Sequence, residues 1–299
     1  MELIVIDIGG TAIKYGVLDE HENLLFRESI PSEAHLGGNE LIKKVLRICD
    51  QVKRKWDVFG VAISSAGQID SEHGVVVHAT ETIPGYTGMS VTEMVTEHTG
   101  LPATIENDVN CTAIGEHWKG AAVGVDDFVC MTFGTGIGGA LFMNGQLHAG
   151  ANFSAGEFGH INLYKDGKLC TCGNYGCYER YASSAALSEI VASEFGRSIQ
   201  LPVFFQMVKQ GDALSVEIFN KWIDDVATGI QSIVHIFNPK LVVIGGGITA
   251  QGDFLLHAMQ SAVDEKLMPN HRNQLNLKLA LNDNNANLLG AAKHYFTKQ

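Results

Sequence analysis

Leu3-Ile4-Val5-Ile6-Asp7-Ile8-Gly9-Gly10-Thr11-Ala12-Ile13-Lys14-Tyr15-Gly16-Val17-Leu18 is the stretch on which the fold turns. An aliphatic run meets Gly9-Gly10-Thr11 and resumes from Ile13, with Asp19-Glu20 at its end, which reads as strand, glycine turn, strand. A second copy lies downstream. Phe128 to Phe133 leads into Gly134-Thr135-Gly136-Ile137-Gly138-Gly139 and then Ala140 to Met143, with Asn144-Gly145 closing the next hairpin. Two glycine-tipped hairpins, one in each half, predict an internally duplicated fold with a cleft between the halves, although no strict repeat is visible.

Around these hairpins, strands and helices alternate. Leu41, Val45, Ile48 and Val52 have helical spacing, Phe59 to Ile63 reads as a strand, and Ser90 with Glu93 forms a capping box for a helix ending near Gly100. Ala103 to Ile105 is a short strand, and a helical stretch runs on to Trp118, which puts Asp108 at a strand-to-helix junction. Further helices are expected at 184–195, 215–237 and 253–267, with a strand from Leu241 to Ile244 before Gly245-Gly246-Gly247. Motif order divides the chain into domains 1–118 and 119–286, and a last helix near 287–299 packs back on the first.

The 299 residues are 45% hydrophobic and 18% charged, enough for a sizeable core, and 299 residues suit two domains better than one. Lys and Arg number 21 against 33 Asp and Glu, a net charge of −12 that repels phosphate backbones and anionic membranes. Nucleic acid and membrane are therefore not expected as partners. No basic leader and no membrane-spanning apolar run is evident, so the chain reads as cytoplasmic. In that reducing setting the six cysteines should be thiols or metal ligands.

Gly134 to Gly139 satisfies G-x-G-x-x-G, yet a dinucleotide fold needs those glycines to open a helix, whereas a strand and a tight hairpin follow here. Neither hairpin supplies a Walker A loop. Glycines at hairpin tips do let backbone N–H groups approach an anion closely, and Thr11 and Thr135 add hydroxyl donors there. Asp7, two residues before Gly9, is then placed to hold Mg2+ through water, and Lys14 to reach a phosphate. The competing reading is two ordinary tight turns and a solvated lysine.

Asp7-x-Gly9-Gly10-Thr11-x-x-Lys14, the turn from Gly134 through Gly138 and the run Gly245-Gly246-Gly247 resemble the actin-like ATPase-domain sugar kinases, and most closely the ROK family. Glu157-x-Gly159-His160, Gly167, Cys170-x-Cys172-Gly173, Gly176-Cys177 and Glu179 look like that family's sugar and zinc signature. The resemblance spans nearly the whole chain. It implies two actin-like (ribonuclease H-like) α/β domains with an interdomain cleft, the first two turns on the phosphates of ATP, Gly245 to Gly247 at the adenosine, and a homodimer. It also puts Gly67, Asn107, Asp108, Glu157, His160 and Glu179 at a hexose or N-acetylhexosamine. One departure stands out: many members have Pro-Gly after the third strand, where this chain has Ser64-Ser65-Ala66-Gly67-Gln68-Ile69-Asp70.

Apart from the family, Cys170, Cys172 and Cys177 can bring three thiolates to one ion, with His160 as a fourth ligand, a set that suits a closed structural Zn2+ site. The alternatives are three reduced thiols in a loop, or a knuckle that binds nucleic acid or a protein. Only Lys165, Lys168 and Arg180 lie near the cysteines, with no aromatic and basic stripe for bases. Cys49, Cys111 and Cys130 sit among apolar neighbours as small hydrophobes.

Sugar phosphorylation needs a base at the attacking hydroxyl, and Asp108 is the candidate, with Asn107, Glu157, His160 and Glu179 to pair hydroxyls. Asp before a helix is more often only an N-cap, and the Glu106-Asn107-Asp108-x-Asn110 context is what favours the base. The alternative function is a non-catalytic sugar sensor of the same fold. Family repressors carry an N-terminal helix-turn-helix, whereas this chain opens in its first strand.

Overall fold

β1 (Glu2–Ile8) is buried on both faces, with Ile4, Ile6 and Ile8 in one core cluster and Leu3 and Val5 in another. Such a strand needs layers on both sides. It pairs antiparallel with β2 (Ala12–Leu18), which pairs with β3 (Leu24–Pro31). On its other edge it runs parallel to β4 (Val58–Ser65), and β4 to β7 (Ala103–Asn107). β5 (Gln68–Asp70) and β6 (Val75–His78) form a separate small hairpin.

On one face lie α1 (Gly38–Lys53) and α2 (Val91–Thr99), through Leu41, Val45, Ile48, Val91 and Val95. On the other lie α3 (Asp108–Lys119) and the C-terminal helix Ala286–Lys298, through Cys111, Leu288, Ala291 and Tyr295. These two helices meet backbone to backbone: a Cβ on Gly290 would fall 1.7 Å from the Cys111 carbonyl oxygen. At the far end of α3 the fully buried Glu116 carboxylate accepts the N–H groups of Ala121, Leu281 and Asn282 at 2.7–3.0 Å. The expected capping box at α2 does not form. Ser90 is the N-cap residue but its side chain makes no cap bond, because an antiparallel bridge to Val75 holds its backbone. Gly100 does end that helix, in the left-handed conformation.

The computed structural model describes residues 2–282 and 285–299. They divide into two units, the first drawn from Met1–Val123, Leu147–Ala155 and Leu281–Gln299, the second from Gly124–Gln146 and Gly156–Ala280. The second repeats the strand plan of the first. β8 (Phe128–Phe133) pairs antiparallel with β9 (Ile137–Met143) and parallel with β11 (Leu241–Gly245), flanked by β10 (Gln146–Leu147) and β12 (Asn276–Leu279). Asn144 and Gly145, both at positive φ, form the two-residue turn after β9. The glycine run enters a strand, which removes the dinucleotide reading. Its helices are α4 (Glu179–Ala182), α5 (Ser184–Phe195), α6 (Leu201–Lys209), α7 (Ala213–Phe237), α8 (Asp253–Lys266) and α9 (Pro269–Arg272), with Trp222 of α7 in the core.

Candidate active site

In the first unit the end of β1 delivers Asp7, 5% exposed, beside Ser64 of β4, its register partner. Asp7 Oδ1 accepts from Ser64 Oγ (2.8 Å) and Asn287 Nδ2 (3.0 Å), and Oδ2 lies 3.7 Å from Lys14 Nζ across the β1–β2 pair. The Gly9–Thr11 turn is closed by Gly9 N–H on the Ala12 carbonyl, and Ser32 supports it from β3's end with Oγ donating to the Gly10 carbonyl at 2.8 Å.

β7 ends at Asn107, and α3 begins at Asp108. Asn107, not Asp108, caps the helix: its Oδ1 accepts from Val109 and Asn110 N–H at 2.9 and 3.0 Å. Its Nδ2 donates to the Gly67 carbonyl (2.8 Å) and to Asp108 Oδ1 (3.0 Å), so the amide is fully engaged by protein atoms. Asp108 Oδ1 also accepts from Val109 N–H. Burial, then the Asp7 charge, push the Asp108 carboxyl up to about 7, over the opposing pull of the backbone N–H groups of Val109 and of Asp108 itself. Buried Glu106, raised by burial as well, accepts from Asn107 N–H and Asn110 Nδ2 and braces the corner.

In the second unit Gly134 N–H closes the turn on the Gly136 carbonyl (3.0 Å), and the start of α5 supports it through Ala185 N–H on the Gly134 carbonyl. Glu179, first residue of α4, reaches this turn: Oε2 accepts from Ile137 N–H at 3.4 Å while Oε1 accepts from Cys170 Sγ at 3.2 Å. His160 presents Nδ1 to Cys170 Sγ (3.7 Å) and Nε2 to Glu157 (3.9 Å). Cys172 and Cys177 Sγ are 3.5 Å apart, and the four ligand atoms of His160, Cys170, Cys172 and Cys177 all lie within 4.8 Å of one another. The Asn174 backbone N–H pulls the Cys172 thiol down to about 7, whereas burial pushes Cys177 up to about 12.

Residues 3–297 match the ROK family. The chain belongs to the ROK family. Among similar proteins are an uncharacterised protein of Clostridium perfringens (37% identical, 96% of this chain and 95% of that one) and the beta-glucoside kinase of Listeria innocua (31%, 100% and 99%). A solved ROK family glucokinase from Streptomyces griseus, in complex with glucose and AMPPNP, matches with a TM-score of 0.84 at 29% identity over 98% of each chain. Both units of this ROK chain thus have the actin-like fold.

The glycines of the ROK turns separate into two kinds. A Cβ on Gly136 would sit 2.4 Å from Glu179 Oε2, and one on Gly246, at φ +92°, 2.4 Å from the Phe133 carbonyl oxygen, so the fold itself demands glycine there. Gly10, Gly134 and Gly247 would meet nothing within 4 Å and have no positive φ. Packing within the chain does not require glycine at these three places. Ser64 and Asn287, which aim Asp7, escape sequence reading for different reasons. Ser64 is the penultimate residue of a strand parallel to β1, a legible position, while Asn287 lies 280 residues from its partner with no local signal.

Proposed function

We propose that this chain transfers the γ-phosphoryl group of ATP to a hydroxyl, the 6-hydroxyl, of a hexose or N-acetylhexosamine. The observation that carries the reading is the bare trio Gly10, Gly134 and Gly247, glycines without a packing reason in three family turns, together with a carboxyl at Asp108 poised near neutrality. The Asp108 carboxylate accepts the proton of the attacking hydroxyl, while Oδ1 stays anchored to Asn107 and Val109. Backbone N–H groups at the tips of the two glycine hairpins donate to phosphate oxygens, and Lys14 adds a positive charge. Asp7, already oriented by Ser64 and Asn287, would hold Mg2+ through water, and the charge of the ion would offset that of the phosphates. Glu157, Glu179 and the Nε2 side of His160 pair sugar hydroxyls, and the Gly67 carbonyl helps set Asn107.

The three sulfurs and one imidazole fit a tetrahedral Zn2+ in donor type and spacing. The ion would hold the 157–179 loop in shape and leaves no position open for water. Elemental analysis should find about one zinc per chain and none in Cys172→Ser, with loss of sugar-dependent turnover. A folded, active, zinc-free Cys172→Ser protein contradicts this.

The kinase reading is tested by ADP release with MgATP over a panel of hexoses and N-acetylhexosamines, with mass detection of the sugar phosphate. At least one sugar should stimulate release and appear phosphorylated; sugar binding without turnover on any member would favour the sensor.

A further inference from the structure

Two glycines set how closely α3 and the C-terminal helix approach. A Cβ on Gly115 would lie 2.4 Å from the Ala286 carbonyl oxygen, and one on Gly290 1.7 Å from that of Cys111. Backbones this near let two short side chains meet across the contact. Thr112, 7% exposed, and Asn287 lie 175 residues apart in the sequence, and Thr112 Oγ1 donates to Asn287 Oδ1 at 2.5 Å. The other end of the Asn287 amide reaches the candidate site, where Nδ2 donates to Asp7 Oδ1 at 3.0 Å.

The chemistry of the three groups fixes the direction of this relay. An ionised carboxylate only accepts, so Asn287 turns its NH2 to Asp7 and its oxygen to α3, where the partner must be a donor. Thr112 is that donor. Its Oγ1 is also 3.0 Å from the Asp108 carbonyl, but a hydroxyl has one proton and both neighbours are acceptors, so the shorter contact to Asn287 takes it. Ser64 Oγ donates to the same Asp7 oxygen at 2.8 Å, and the two donors use both lone pairs of Oδ1. Oδ2, 3.7 Å from Lys14 Nζ, keeps acceptor capacity. A bond needed only to join the helices would not require this, since the packing at Gly115 and Gly290 already joins them.

We propose that Thr112 and Asn287 are positioning residues for the Asp7 carboxylate: the hydroxyl fixes the amide, and the amide with Ser64 holds Oδ1 so that Oδ2 is left for water on a bound Mg2+. This rests on the kinase reading above, with Asp7 as the carboxylate that would hold the ion. The C-terminal helix thereby serves the site through a side chain as well as through packing. Both residues act through Asp7, so their loss should fall on the metal-dependent part of nucleotide binding and spare the sugar.

The test compares wild type with Asn287→Ala, Thr112→Val, their double variant and Thr112→Ser. Calorimetry measures AMPPNP binding with and without added MgCl2, and steady-state kinetics titrate Mg2+ with ATP and sugar saturating. Mg2+ should tighten AMPPNP binding to wild type. Asn287→Ala and Thr112→Val should match wild type without Mg2+ and lose about tenfold of the gain that Mg2+ brings, the scale of one hydrogen bond to a charged group. The Mg2+ concentration for half-maximal rate should rise by about the same factor, with KM for sugar unchanged. The double variant should lose no more than the singles, since both cut one relay. Thr112→Ser keeps the hydroxyl and should behave as wild type, and no variant should lose more than about 4 °C in Tm. A Mg2+ gain unchanged in both folded single variants overturns the proposal. So does a gain lost only together with a collapse in Tm, or a Thr112→Ser protein as impaired as Thr112→Val. A wild type that phosphorylates sugar yet binds AMPPNP equally with and without Mg2+ overturns it too, whereas a wild type that turns over no sugar overturns the kinase reading instead.

Discussion

The two sheets share a strand plan and treat the same position in opposite ways. The penultimate residue of β1 is Asp7, opposite Ser64 of β4, whereas the penultimate residue of β8 is Thr132, opposite Gly245 of β11. A Cβ on Gly245 would lie 3.2 Å from Thr132 Cγ2, so the glycine accommodates the threonine. Each strand then enters a glycine turn with one bare glycine, Gly10 or Gly134. The first unit gathers carboxylates, and their mutual repulsion with burial lifts Asp108 toward neutrality. The second places no carboxylate at this strand position, and its turn is met instead by Glu179, whose Oε2 accepts from Ile137 N–H. One strand plan thus carries a carboxylate at this position in one copy and a threonine in the other.

The sharpest way to break that contrast is Asp108→Asn, which removes the base and keeps its size. We expect kcat to fall by roughly 10²- to 10⁴-fold with sugar affinity retained, measured by steady-state kinetics and calorimetry. Because Asn107 is the N-cap, helix capping survives the change. Gly134→Val covers the bare glycine of the second turn and should weaken ATP binding roughly 10- to 100-fold, the cost of a lost charge-assisted backbone contact, with sugar binding unaltered. Gly136→Val is the poorer probe, since its side chain would strike Glu179. Thr132→Asp gives the second unit the carboxylate of the first, and like-charge repulsion should raise Kd for ATP by about tenfold. The smallest effect is on stability. A carboxyl whose folded pKa is raised binds its proton more tightly in the folded state, so it costs stability as pH climbs from the ordinary Asp value to about 7. Asp108→Asn should melt with wild type near pH 4 and above it at pH 8; equal melting temperatures at both would count against the raised pKa.

Much of this was legible in the sequence because it is local. Glycine-tipped hairpins, the α1 spacing and the Gly100 stop depend on neighbours a few residues away, and the duplicated sheets follow from the hairpins. The Cys170, Cys172 and Cys177 spacing was legible for the same reason, and His160 lies only ten residues upstream. Long-range features were not: β3 is largely exposed, β12 is only four residues long, and the excursion at 147–155 has no compositional marker. Asp108 as a cap was a fair reading of a residue before a helix, but Asn107 has the extended φ and ψ that a cap needs, and that is settled by how β7 enters α3. Gly136 was read as a phosphate contact like Gly134, and a sequence cannot show that Glu179, 43 residues on, also occupies its Cβ position.

The most direct test of Asp108 as the base is the pH dependence of sugar phosphorylation with both substrates below KM, where the profile reports the free enzyme. The carboxylate is the active form, so log(kcat/KM) should rise with unit slope below about 7 and level off above it. Asp108→Asn should lose that limb along with most of its rate. A flat wild-type profile from pH 5 to 8, or the same rising limb in Asp108→Asn, would contradict the assignment.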